Sequence, residues 1–229
     1  MSRYESTQAV NPVQRYYDWD GQGQTFSHYN SESAEQIPET LPFKFFIISE
    51  RYCVRGFDEN LRQGIFSNVV QYVGREELNV RWKDGNTIAK GLWRDIKGEV
   101  NANGGHYTMV IFAMSELQDL ICIRLRGSAI KSWGDTVGKS RVRQNDEWIS
   151  VASVGTGENE RGTYYYPIFS FGGSLAKEDD EIGAQLAAEL KNYRENKPVA
   201  QPVSPTPSTS MPPSATLPPP TDDDDDLPF

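Results

Sequence analysis

The chain has 229 residues, 37% of them hydrophobic and 24% charged, with a net charge of −9 and a pI near 4.8. That length suits one substantial domain with tails, or at most two small ones. No stretch approaches the roughly 18 uninterrupted apolar residues of a membrane span, and the N-terminus holds no apolar run of the signal-peptide kind, so a soluble cytoplasmic protein is expected.

Residues 1–40 are polar, with Tyr16, Tyr17, Trp19, Phe26 and Tyr29 scattered through them and no sustained period of 2 or 3.6 residues. They read as an arm with little regular structure; either the aromatics pack on the core, or the arm contacts nucleic acid. From Leu41 the pattern turns to β. Phe43 to Val54 is rich in aromatic and branched residues, Gly56 to Gly64 is a charged turn, and Ile65 to Tyr72 is a second strand. Leu78 to Lys83 alternates apolar and polar residues, meets Asp84-Gly85, and resumes at Thr87 to Lys90, the signature of a hairpin. Leu92, Trp93, Ile96 and Val100 fall at helical spacing, and Asn103-Gly104-Gly105 ends that helix.

Tyr107 to Met114 reads as a buried strand. In Leu120 to Arg126, Ile121, Ile123 and Leu125 share one face while Arg124 and Arg126 share the other. Ser128 to Val137 suggests a short helix. Trp148 to Val154 and Thr163 to Phe171 read as strands joined by the polar loop 155–162. Residues 175–197 form the clearest helix, with Ile182, Leu186, Leu190 and Tyr193 as its apolar stripe, acids at its start and cations near its end. Cys53 and Cys122 lie in apolar strands and read as buried free thiols.

This order matches a mainly β fold: an OB-fold-like Greek-key β-barrel (the oligonucleotide-binding kind) over 41–197, with extra strands and a C-terminal helix. Residues 198–221 are a Pro/Ser/Thr-rich linker, expected to be disordered because it cannot form a core. The charge is uneven. Residues 1–40 carry two basic and six acidic side chains, 41–177 carry 18 and 15, 178–200 carry three and six, and 201–229 none and five, so the expected core is mildly basic between acidic ends.

Non-specific binding of single strands needs cations for phosphates and flat rings for bases. Both are interleaved in the predicted barrel as Arg81, Trp82, Lys83 and Lys90, then Arg124, Arg126, Lys131, Trp133, Lys139, Arg141 and Arg143, and finally Tyr164, Tyr165 and Tyr166. Each has a plainer reading. Trp82 shares its apolar face with Val80, Trp93 lies on the buried stripe of its helix, and a solvated face also explains the cations. Alternation leaves at least one tyrosine of the 164–166 run exposed.

Catalytic chemistry finds little support. Gly134 to Ser140 resembles a phosphate-binding P-loop, but has three residues between its glycines where four are needed. The only histidines are His28 and His106. No Cys or His cluster has metal-ligand spacing, no serine sits in a nucleophile elbow, and Glu76-Glu77 and Asp58-Glu59 are loop carboxylates. No enzyme activity, cofactor or metal is expected.

The chain closes on Asp222, Asp223, Asp224, Asp225 and Asp226, then Leu227, Pro228 and Phe229. A charge run of this kind ordinarily serves solubility, but a solubility tail gains nothing from an aromatic tip. A peptide ligand needs an apolar anchor and a rigid proline. Residues 222–229 resemble the C-terminal peptide of bacterial and phage single-stranded DNA-binding proteins, with Leu227 where isoleucine is commoner. The resemblance implies a phage-encoded member of that family, in a host bacterial cytoplasm. Its barrel would coat single-stranded DNA during replication, recombination or repair. Its acidic tip would dock replication and recombination proteins, and compete with DNA for the cationic groove. An adaptor that captures such proteins without binding DNA, and a nucleic-acid enzyme on the same barrel, are the alternatives. Self-association stays open.

Overall fold

The computed structural model describes residues 10–160 and 162–196. In chain order these form β1 (Arg15–Asp20), β2 (Thr25–Asn30), β3 (Glu35–Pro38), β4 (Phe43–Asp58), β5 (Gln63–Phe66), β6 (Leu78–Trp82), β7 (Thr87–Gly91) and α1 (Trp93–Ala102). There follow β8 (Gly105–Ser115), β9 (Leu120–Leu125), α2 (Gly127–Trp133), a π-helical turn at Gly134–Gly138, α3 (Arg141–Gln144), β10 (Glu147–Asn159), β11 (Gly162–Ser174) and α4 (Lys177–Asn196). The chain divides into two compact units, one holding the described residues up to Arg51 and from Thr108 onward, the other Tyr52–Tyr107. Strands β4 and β8 each run from one unit into the other.

In the first unit the strand order is β3-β2-β1-β9-β8-β4, with β10 paired to β4 and β11 to β10. β1 pairs antiparallel with β2 through Tyr17 and His28, and parallel with β9 through Tyr17 and Ile123. The arm expected to lack regular structure therefore supplies three strands. Its aromatics explain why: Tyr17 and Phe26 are fully buried, and their rings meet Phe43 at centroid distances of 5.0 and 5.5 Å. Burying one such ring removes 150–250 Å² from contact with water, about 4–6 kcal/mol at 25 cal/mol per Å². That outweighs the absence of a clean period in the arm.

The residues expected as the loop 155–162 are instead the end of a long hairpin. β10 and β11 pair from Glu147↔Ser174 out to Asn159↔Gly162. Gly155 and Gly157 lie opposite Tyr166 and Tyr164, whose rings occupy the space a Cβ at either glycine would need. The glycines that look like loop residues are strand residues covered by aromatic rings.

In the second unit β4, β5, β6 and β7 form an antiparallel meander, with Arg55↔Phe66, Ile65↔Trp82 and Val80↔Ala89 in register. The Asp84-Gly85 turn is as expected, with Gly85 at φ +95°. α1 buries Trp93, Ile96 and Val100, also as expected, and Trp93 and Tyr52 both lie against the ring of Tyr107.

The fold is mainly β with helices, but neither unit closes. β3 and β11 remain edge strands in the first, and β7 in the second. A Greek-key barrel of the oligonucleotide-binding kind removes its edges by pairing first and last strands, and a meander has no strand that returns to do so. The expected barrel is overturned. With it goes the assignment to the single-stranded DNA-binding family, whose resemblance is confined to the tip. Residues 198–221 and 222–229, read as linker and docking tip, lie outside the described residues.

Candidate functional site

In the first unit three of the six predicted cations, Arg124, Lys139 and Arg143, are held by acids. Arg124, on β9, forms an ion pair with Asp18 of β1, and its guanidinium lies 5.7 Å from the ring centre of Tyr16. The parallel register Asp18↔Arg124 places the two side by side. Arg15 pairs with Asp119 in the same way. Arg126 occupies the N-cap position of α2 and is half-buried. Lys131 is exposed on α2, and Arg141 is exposed at the start of α3.

Lys139 meets Asp135 at 2.9 Å, a contact that holds the Asp135 carboxyl below the usual carboxylate range. Arg143 makes a two-pronged bond to Glu147, at 2.5 and 2.7 Å, and lies 4.0 Å from the ring centre of Phe171. This bond lowers the Glu147 carboxyl and raises the Arg143 guanidinium. Lys139 lies in the turn before α3, and Arg141 and Arg143 lie on α3 itself. Two residues apart on a helix, Arg141 and Arg143 do not share a face.

Of the predicted rings, Trp133 is buried at 2% exposure. It stacks on Phe45 at 6.1 Å, meets Phe169 edge-on at 5.0 Å, and donates its indole N–H to Glu50 at 3.0 Å. It is core. Burial pushes the Glu50 carboxyl up, opposed by this hydrogen bond and by the charge of Arg141. Tyr164 and Tyr166 share one face of β11, half-buried, with ring centres 6.2 Å apart. Tyr165 points to the other face, and its carbonyl accepts the indole N–H of Trp19 at 2.9 Å.

In the second unit, Trp82 is half-buried and donates its indole N–H to Asp58 at 3.0 Å. Asp58 is itself buried and also accepts from the backbone N–H groups of Leu61 and Asn60; these bonds, Leu61 foremost, lower its carboxyl. Arg81 is half-buried on β6 and Lys83 is exposed in the β6–β7 turn. Lys90 pairs with Glu77 at 3.5 Å.

No family model, curated protein or solved structure matches the chain. The geometry therefore speaks alone. It offers no barrel groove in which these cations and rings could hold a strand, and the proposed role in sequence-independent binding of single-stranded DNA is overturned with the barrel. The tip's competition for such a groove falls with it. Among the described residues no three His, Cys, Asp or Glu side chains converge as metal ligands, and no helix is long and apolar enough to cross a membrane.

One group of cations escaped notice. Arg51, at the centre of β4, and Arg194, near the end of α4, border a common cavity. Arg194 reads in the sequence as a charge complementing the helix dipole. The available signal was its spacing: Leu186, Leu190 and Arg194 are four apart, so this arginine continues a buried stripe.

Proposed function

We propose that the protein is a non-enzymatic docking protein, which captures a partner protein through Asp222–Phe229. The observation that carries this reading is the sequence of that segment: five aspartates followed by Leu-Pro-Phe. Such a peptide suits a partner whose apolar pocket is rimmed by cations. The aspartates speed encounter, and the leucine and phenylalanine supply the area buried once docked. Residues 198–221, which precede it, are rich in Pro, Ser and Thr. The charge pattern of the folded residues also favours a protein partner, because Arg15, Arg124, Lys139 and Arg143 already hold carboxylates.

The test compares affinity capture by the full chain, by Phe229→Ala and by a variant with Asp222–Asp226 replaced by asparagine. The expected result is a defined partner retained by the first and lost by both variants, with retention falling as salt rises. Recovery of the same proteins by all three would overturn the reading.

A further inference from the structure

The cavity between α4 and β4 measures about 400 Å³, within the range of small-molecule sites, and three of its walls are cationic: Arg51, Lys191 and Arg194. Its one carboxylate, Glu195, is 3.9 Å from Lys191. Leu190 gives it an apolar floor. The Arg194 guanidinium is laid over the ring of Phe112, 4.4 Å from its centre, which fixes its plane. Its Nη2 is buried and meets no acceptor among the described residues. Arg51 donates to a neutral group, the carbonyl of Glu50, at 2.7 Å. Burial and the charge of Arg51 together pull the Arg194 guanidinium down to about 10.

This differs from three other arginines of the same unit. Arg15, Arg124 and Arg143 each hold a carboxylate. Arg51 and Arg194 instead repel one another, and a buried N–H without an acceptor carries its full desolvation cost. Folding tolerates such an arrangement when a ligand repays it. An oxyanion in the cavity would lie beside both guanidinium groups and offset their repulsion. Phosphate matches the planar fork of arginine better than a halide does. Ser49 also lines the cavity, and its hydroxyl adds a group able to donate.

We infer that the α4–β4 cavity is a binding site for a phosphate group, either as free inorganic phosphate or as a small phosphomonoester, held by Arg194 and Arg51 with Lys191 at the rim. The site is distinct from the Asp222–Phe229 segment and does not depend on the docking role. The cavity is larger than one phosphate ion needs, which leaves room for an ester substituent against Leu190.

The experiment titrates the full chain with inorganic phosphate and with glycerol phosphate by calorimetry and NMR, using sodium chloride at equal ionic strength as control. Both phosphates should bind saturably and move the Arg194 side-chain resonance, and chloride should not. Arg194→Met removes the charge but keeps an unbranched apolar side chain beside Phe112, and should weaken binding by roughly tenfold or more, the loss expected for one charge-assisted pair. Arg51→Met should do the same, with Arg194 intact as reporter should the first variant fold poorly. Lys97→Met, on α1, should bind as the wild type does. Tighter binding of the ester would assign the site to a phosphomonoester, and equal binding to the free ion. An equal response to chloride, or wild-type phosphate affinity in both arginine variants, would overturn the site.

Discussion

Glu50 is a carboxyl whose environment disfavours its charge: burial raises it, against the indole N–H of Trp133 and the charge of Arg141. A folded-state value above the unfolded one means that the folded protein holds the proton more tightly. The contribution of this group to stability is full below the ordinary glutamate value and is lost as pH rises through the raised one. Glu50→Gln removes that loss and keeps an oxygen to accept the 3.0 Å bond from Trp133. Its melting temperature should exceed that of the wild type by a few degrees at pH 7, and the gap should close at pH 4. Melting curves at the two values check this, and a gap that persists or widens on acidification would refute it. Nothing in the sequence near Glu50 announces its role, because its partner lies 83 residues away. The same holds for Arg124, whose carboxylate is 106 residues distant. Residue types and local spacing correctly marked Trp93 as core and both cysteines as buried. They could not show which cations were already neutralised, and the indole of Trp133 was assigned to the surface.

Local elements were more legible than their connections. The hairpin at Asp84-Gly85, α1 and α4 follow their sequence patterns because each is specified by short-range periodicity and turn chemistry. β10 and β11 were foreseen as strands but shortened, since Gly155 and Gly157 mimic loop residues until the cross-strand tyrosines are known. Pairing between distant strands, β1 with β9 above all, leaves no local trace, and the barrel inference failed there. Backbone packing of this kind does make sharp demands at single positions. A Cβ on Gly56 of β4 would overlap the carbonyl oxygen of Gly104, to which Phe57 N–H is bonded at 3.2 Å. The obstacle is backbone and cannot rotate away. Gly56→Ala should therefore cost about 3 kcal/mol or more, at the upper end for overpacking. Gly98, inside α1 with nothing near its missing Cβ, sets the contrast. Gly98→Ala should gain up to about 1 kcal/mol from helix propensity. Urea denaturation of the two variants measures both, and a shared sign would contradict the packing described for the 52–107 unit.

At the scale of the whole molecule, the charge division read from the sequence changes meaning once the fold is known. Separating an acidic arm from a mildly basic core assumed that residues 1–40 stand apart. Because β1 to β3 belong to the same sheet as β9, residues 10–196 must be counted together, and they carry 21 basic and 26 acidic side chains. The folded residues are acidic, and Asp18 and Asp119 are spent on Arg124 and Arg15. Residues 198–229 add five further acids and no base. A cation-rich body would attract such a segment; an acidic body gives it no general electrostatic reason to stay close, and its linker lacks the apolar residues to build a core. Ending the chain at Lys197 removes five negative charges, taking the net charge from −9 to −4, and should leave the melting temperature within about 2 °C at physiological salt, where charges more than a Debye length of about 8 Å apart are screened. The truncated protein should keep its phosphate response and lose partner capture, so that the two activities separate on one variant. A drop of many degrees in a thermal melt would mean instead that 198–229 contributes to the folded body, and the docking segment would then have to be reread as part of its structure.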